Sequence, residues 1–162
     1  MGVILKSKMI HPSIMQHSVG VAEFMTDYIR TRHPDKDPYP YYVLGLLHDI
    51  GKLYPGDPTT GNNRYKGHAR KGGELMKDLG FVYWKEIAHH GHPEDAYWSS
   101  LLMLLNLADL SVNGKGEIIP ITRRIADIGR RYGEDSEEFH NARRIREQLE
   151  KAGFIDVEGN IL

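Results

Sequence analysis

Apolar residues recur at three- and four-residue steps along almost the whole chain, and this spacing restricts the fold more than any other feature. From Ser13 to about Arg30, Ile14, Val21, Phe24, Met25 and Tyr28 keep the interval while Glu23, Asp27 and Arg30 fall on other faces. Pro34, Pro38 and Pro40 end that segment, because proline lacks the backbone donor and clashes with the preceding turn. A second helix is predicted over about Tyr41 to Lys52, and its nearly all-round apolarity predicts a central position. Residues Tyr54 to Gly67, with Pro55, Pro58, Gly56 and Gly61, read as a loop. Helical spacing returns from His68 through Leu75, Met76 and Leu79, and again in a shorter piece from Val82 to His90 that Pro93 closes. Ala96 to Val112 is strongly apolar, and Asn113 to Gly116 break it. Two further stripes, Ile121, Ile125, Ile128, Tyr132 and Phe139, Ala142, Ile145, Leu149, predict two more helices. No segment alternates as a strand does, and the tail from Gly153 to Leu162 reads equally as a short strand or an irregular cap. The pattern predicts an all-α class: a compact helical bundle in which residues 1–162 form one domain.

The chain contains no Cys, so disulfides, thiolate metal sites, iron–sulfur clusters and cysteine nucleophiles are all excluded. Any metal must rest on nitrogen and oxygen ligands. With 21 basic and 22 acidic side chains the net charge is −1, which argues against bulk attraction to nucleic acid or anionic membrane, and no stable DNA binding is expected. The longest apolar run, Leu101 to Leu105, is far shorter than the roughly 18 residues of a membrane span. Val3 to Leu5 likewise fall short of a signal peptide's apolar region, so a cytoplasmic location is expected.

Polar side chains that interrupt the apolar stripes carry the functional information. His17 shares a seam with Ile14, Val21 and Phe24, where a lone imidazole reads most simply as a buried histidine satisfied by a backbone carbonyl. His48 and Asp49 extend the apolar Val43–Leu47 segment; a bridging carboxylate suits their divergent directions, and so does a surface pair between Asp49 and Lys52. Asp109 lies on the stripe Leu102, Leu105, Val112, where a buried carboxylate costs several kcal/mol unless protonated or paired, so either an arginine or a metal should meet it. His68 heads its own stripe, and His89 or His90 ends another. Taken one at a time, each has a structural explanation. Together they place one imidazole or carboxylate on each of several separate helices, which is the nitrogen and oxygen inventory of a one- or two-ion divalent metal site.

The same residues resemble the HD-domain metal-dependent phosphohydrolases. The resemblance is carried by His17 in QHSVGVAEFM, His48 and Asp49 in LGLLHDIGK, His68 in GHARKGGELM, His89 and His90 in IAHHG, and Asp109 in LNLADL, in that order over about residues 11–113. A helical extension over about 120–151 follows this motif-bearing core. The resemblance implies that His17, His48, Asp49 and Asp109 hold one metal, and that His68 with His89 holds a second bridged by Asp49, His90 being an alternative or an addition to His89. It also implies hydrolysis of a phosphate ester or phosphoanhydride, with Asp49 and Lys52 in catalysis and Lys52 on the substrate phosphate. Within the family the chain is similar to small bacterial dinucleoside-polyphosphate hydrolases. It lacks the glycine-tyrosine-proline element that marks the HD-GYP phosphodiesterases, since GHPEDAYW follows the paired histidines.

Iron and manganese are the leading ions, with magnesium, cobalt, nickel or zinc also admitted, because mixed imidazole and carboxylate ligation discriminates poorly among divalent ions. Arg64, Arg123 and Arg124 are candidate phosphate contacts beside Lys52, and Tyr65, Tyr83, Trp84, Tyr97 and Trp98 are candidate stacking partners for a nucleotide base. The expected partner is a small phosphorylated substrate, a nucleotide first among them. The competing expectation is a non-catalytic HD-type module that binds metal or nucleotide for regulation.

Overall fold

Seven α-helices account for most of residues 12–53 and 65–162, which the computed structural model describes. They are α1 (Pro12–Arg32), α2 (Tyr39–Leu47), α3 (His68–Asp78), α4 (Trp84–His89), α5 (Ser100–Asp109), α6 (Ile121–Tyr132) and α7 (Glu137–Lys151), with a short 3-10 turn over Ile50–Leu53 between α2 and α3. No strand forms among the described residues, although two isolated antiparallel bridges pair Val112 with Ile118 and Ile155 with Ile161. The tail is therefore an irregular hook with one bridge.

The core is centred on α5, where every residue from Leu102 to Ala108 is buried. Leu102, Leu105 and Leu107 join Val21 and Met25 of α1, Ile87 of α4, Ile145 and Leu149 of α7, and Ile155 of the tail in one apolar cluster. Each fully buried leucine contributes about 1.5–3 kcal/mol relative to an exposed one. Helix α2 is not the central element that its apolarity predicts. It packs on α1 and buries only Leu44 and Gly45, because its tyrosines keep part of their surface at the rim.

Three boundaries differ from the periodic reading, each for a local reason. The second helix stops at Leu47, so His48 and Asp49 lie in the turn before the 3-10 segment. Gly51 fixes that break: a Cβ there would stand 1.8 Å from the His68 carbonyl oxygen, and only glycine lets the turn lie directly on the start of α3. Helix α5 begins at Ser100, where the Ser99 hydroxyl accepts from the Leu102 amide at 2.9 Å and caps the first turn. Residues 96–99 consequently lie outside the helix, and Tyr97 and Ser99 bond Glu86 of α4. Helix α4 is likewise shorter at its start, beginning at Trp84. The proposed loop from Tyr54 to Gly67 lies largely outside the described residues, as does Arg64.

Candidate metal centre

Six of the expected side chains converge in the interior from five separate places in the chain. His17 comes from the middle of α1, His48 and Asp49 from the turn after α2, His68 from the first position of α3, His90 from the C-terminal cap of α4, and Asp109 from the last residue of α5. His17, His48, Asp49 and His90 are buried, with His48 fully so. Three groups of ligand atoms lie within 4.8 Å of one another: His17, His48 and Asp49; His48, His90 and Asp109; and Asp49, His68 and His90.

Backbone carbonyls orient all four imidazoles. His17 Nδ1 meets the Asn113 oxygen at 3.2 Å, His48 Nδ1 that of Gly45 at 2.6 Å, His68 Nδ1 that of Tyr65 at 3.0 Å, and His90 Nδ1 that of Ile87 at 2.6 Å. A carbonyl only accepts, so each Nδ1 carries a proton and donates it, which turns the Nε2 of every ring toward the centre.

What the Nε2 atoms face is the decisive feature. His48 Nε2 is buried without a hydrogen-bond partner and looks at two carboxylate oxygens, Asp49 Oδ2 at 3.4 Å and Asp109 Oδ1 at 3.6 Å. His17 Nε2 lies 2.8 Å from Asp109 Oδ1. His68 Nε2 and His90 Nε2 stand 3.3 Å apart and 3.1 and 3.4 Å from Asp49 Oδ1. Each of these nitrogens faces a carboxylate oxygen that it meets through either a proton or a cation, and His48 Nε2 makes no hydrogen bond, which costs free energy in a dry interior. The donor set fits a divalent ion: imidazole nitrogens and carboxylate oxygens, with each ring oriented by a second hydrogen bond.

Asp49 divides the centre in two. Its Oδ2 faces His17 and His48 while its Oδ1 faces His68 and His90. Lys52 supplies a nearby positive charge, its ammonium donating to Asp49 Oδ2 at 2.9 Å. Burial pushes the Asp49 carboxyl up, but the charges of His48 and Lys52 and hydrogen bonds from His68 and His90 outweigh it and hold the group well below the ordinary carboxylate range. Asp109 is likewise raised by burial and lowered further by His17 and His48, ending well below that range. Burial lowers His68, and Asp49 only partly opposes it, so this ring favours the neutral form that a ligand needs. Burial also lowers Lys52, but Asp49 and Asp109 prevail and raise it, which keeps the ammonium charged.

Access is confined to one side. Side-chain exposure is 23% for Lys52, 25% for Asp109 and 26% for His68, against 3% for Asp49, so a ligand reaches the centre along the Lys52–His68–Asp109 edge. Tyr65 lies on that edge, its ring centroid 5.8 Å from the Lys52 ammonium.

His89 does not join the cluster. Its Nδ1 pairs with Asp95 Oδ2 at 2.7 Å and its ring lies 5.0 Å from that of Tyr97, because successive positions at the end of α4 point in different directions and His90 takes the inward one. Arg123 is exposed, Arg124 is half-buried with its Nε unpartnered, and neither has a described contact with the centre. Of the other aromatic candidates, the Tyr97 hydroxyl donates to Glu86 at 2.8 Å, Trp84 lies under Lys77 and Lys85, Tyr83 packs against Phe81, and Trp98 is exposed. The Asn113 carbonyl, which orients His17, escaped the sequence reading, since no side-chain pattern can announce a backbone acceptor.

The HD-domain family model matches residues 14–128, from the first turns of α1 well into α6. The chain belongs to the HD-domain metal-dependent phosphohydrolases. No curated protein and no solved structure matches it. HD-domain proteins of this class bind divalent metal and act on phosphorylated small molecules, and the cluster of histidines and aspartates is where this member could hold its ion. No helix among the described residues of this HD-domain protein is long and apolar enough to cross a membrane.

Proposed function

We propose that the chain hydrolyses a phosphate ester or phosphoanhydride of a nucleotide-like substrate, using two divalent ions bridged by Asp49. The observation that carries this reading is the convergence of imidazole Nε2 atoms on the carboxylate oxygens at the two sides of one aspartate. His17, His48, Asp49 and Asp109 would hold one ion, and Asp49, His68 and His90 the other. Iron or manganese suits this set best, with magnesium, cobalt, nickel and zinc as further candidates. When bound, such ions lower the pKa of water toward neutrality and neutralise charge on phosphate oxygens.

The protein's own groups do the remaining work. Asp49, kept ionised by its neighbours, orients the attacking water from the floor of the site. Lys52 stands at the open edge with its charge secured, donating to Asp49 and placed there to meet a phosphate oxygen. Tyr65 beside it offers an aromatic face to a nucleoside. The likeness to dinucleoside-polyphosphate hydrolases makes those substrates the first to test.

Protein loaded separately with iron(II) and manganese(II) should release product from a panel of nucleotides, dinucleoside polyphosphates and cyclic dinucleotides. His48→Ala should abolish both metal uptake and turnover. Metal uptake without turnover on any member of the panel would leave only the non-catalytic, metal- or nucleotide-binding module.

A further inference from the structure

The centre requires His90 to be held more firmly than the end of a six-residue helix normally permits, since helix ends fray. Three hydrogen bonds restrain it. Its backbone N–H donates to the Glu86 carbonyl at 3.0 Å and its Nδ1–H to the Ile87 carbonyl at 2.6 Å, both within α4. The third comes from another helix: the N–H of Gly91 donates to Asn106 Oδ1 of α5 at 3.0 Å. Gly91 has a φ of +75°, a left-handed conformation that turns the chain sharply away from α4 just past His90.

The peptide between His90 and Gly91 is therefore fixed from outside its own helix. With the peptide on the other side of His90 bonded to Glu86, both units flanking the α-carbon are pinned, and the direction of the imidazole follows. Asn106 is 3% exposed in a helix buried from Leu102 to Ala108, where a primary amide is costly unless it makes hydrogen bonds. It sits one turn before Asp109, so a single helix face carries a proposed ligand of one ion and the restraint on a ligand of the other.

We propose that Asn106 is a positioning residue for the second metal subsite, acting on His90 through the Gly91 amide. This rests on the two-ion reading given above. Asn106→Leu keeps the branched side-chain shape, removes the acceptor and leaves the Gly91 N–H orphaned. Loss of such a supporting contact around a metal ligand costs about 10- to 100-fold in affinity.

The test is calorimetric titration of metal-free protein with manganese(II), with metal content after gel filtration and a thermal melt for each variant. Wild type should bind two ions. Asn106→Leu should melt cooperatively, bind the first ion with an affinity within about three-fold of wild type, and bind the second at least about ten-fold more weakly. Asn106→Asp, which keeps Oδ1 in place, should recover the second ion, whereas a merely structural role would not separate the two affinities or respond to this rescue. Two ions bound to Asn106→Leu with unchanged affinities would overturn the proposal. Should Asn106→Leu not fold, Asn106→Ala takes its place under the same criteria. A wild-type stoichiometry of one would instead refute the two-ion reading itself, before any variant is compared.

Discussion

The Lys52 ammonium lies 2.9 Å from Asp49 Oδ2, the same carboxylate oxygen that faces His17 and His48. Lysine and a divalent ion would therefore share one buried oxygen, and the lysine is the cation that stabilises that oxygen in metal-free protein. Removing one partner of a buried pair leaves the other uncompensated, at a cost of about 3–5 kcal/mol in a fully dry site, and less here because Lys52 is 23% exposed. Lys52→Met is expected to lower the melting temperature of metal-free protein and to show a larger rise on adding manganese(II) than wild type does. Steady-state rates on the best substrate should fall by about 100-fold, as loss of a transition-state charge contact does. Equal metal-induced shifts in the two proteins, read by paired melts, would show that the ammonium and the ion do not share that oxygen.

Gly51 gives a sharper structural test. A Cβ at this position meets the His68 carbonyl oxygen at 1.8 Å and the Gly72 amide nitrogen at 2.8 Å, and backbone cannot swing aside as a flexible side chain can. Gly51→Ala must separate the His48–Asp49 turn from the start of α3, which pulls His68 away from Asp49. Overpacking of this kind costs about 1–3 kcal/mol or more. Denaturant unfolding should report that loss together with reduced metal content, while Gly80→Ala, where a Cβ meets open space at a φ of +78°, should cost only about 1 kcal/mol and leave metal content unchanged.

The helices and the inward residues were legible because both rest on the same 3.6-residue period. His17 and Asp109 lie on apolar seams, and a polar residue on such a seam is turned inward, His17 to a buried and Asp109 to a half-buried position. Asn106 obeyed the same logic and passed unnoticed, since a neutral amide carries less electrostatic alarm than a carboxylate. The choice between His89 and His90 was not legible, because it depends on where α4 ends: the cap at His90 has extended backbone and sends adjacent side chains to opposite sides. The reading of α2 as central failed for a related reason, as periodicity reports how apolar a face is and not which neighbour covers it. Backbone partners such as the Gly45 and Asn113 carbonyls leave no trace in residue identity at all.

The C-terminal hook carries a pH-dependent element remote from the metal centre. A hydrogen bond from the Asn160 backbone N–H, supported by the Asn160 amide and the Glu158 backbone N–H, outweighs slight burial and lowers the pKa of Asp156. A carboxyl with a depressed folded-state pKa adds stability above its unfolded value near about 4 and loses it as pH falls through the folded value. The amide resonances of Glu158 and Asn160 should therefore stay dispersed from pH 7 down to about 4 and collapse toward random-coil positions below it. Asp156→Ala should show the collapsed pattern already at pH 7. Dispersion that persists unchanged through pH 2 would mean that the bridge between Ile155 and Ile161 alone holds the hook.

The paired histidines at the end of α4 make opposite predictions. His90 is 2% exposed and points its Nε2 at Asp49 Oδ1 and His68, whereas His89 is tied to Asp95 on the outer side. His90→Ala removes a nitrogen from one side of the bridging carboxylate, so metal content measured after dialysis should fall from two ions per chain to one, and turnover should fall with it. His89→Ala removes a half-buried pair on the outer side of α4, so it should lower the melting temperature modestly while leaving two ions bound. His48→Ala, taking the unpartnered nitrogen from the middle of the cluster, should lose both ions because it lies within reach of both carboxylates. If His89→Ala sheds metal while His90→Ala retains it, the inward and outward assignments are reversed, and the proposed second subsite must be rebuilt around Asp95.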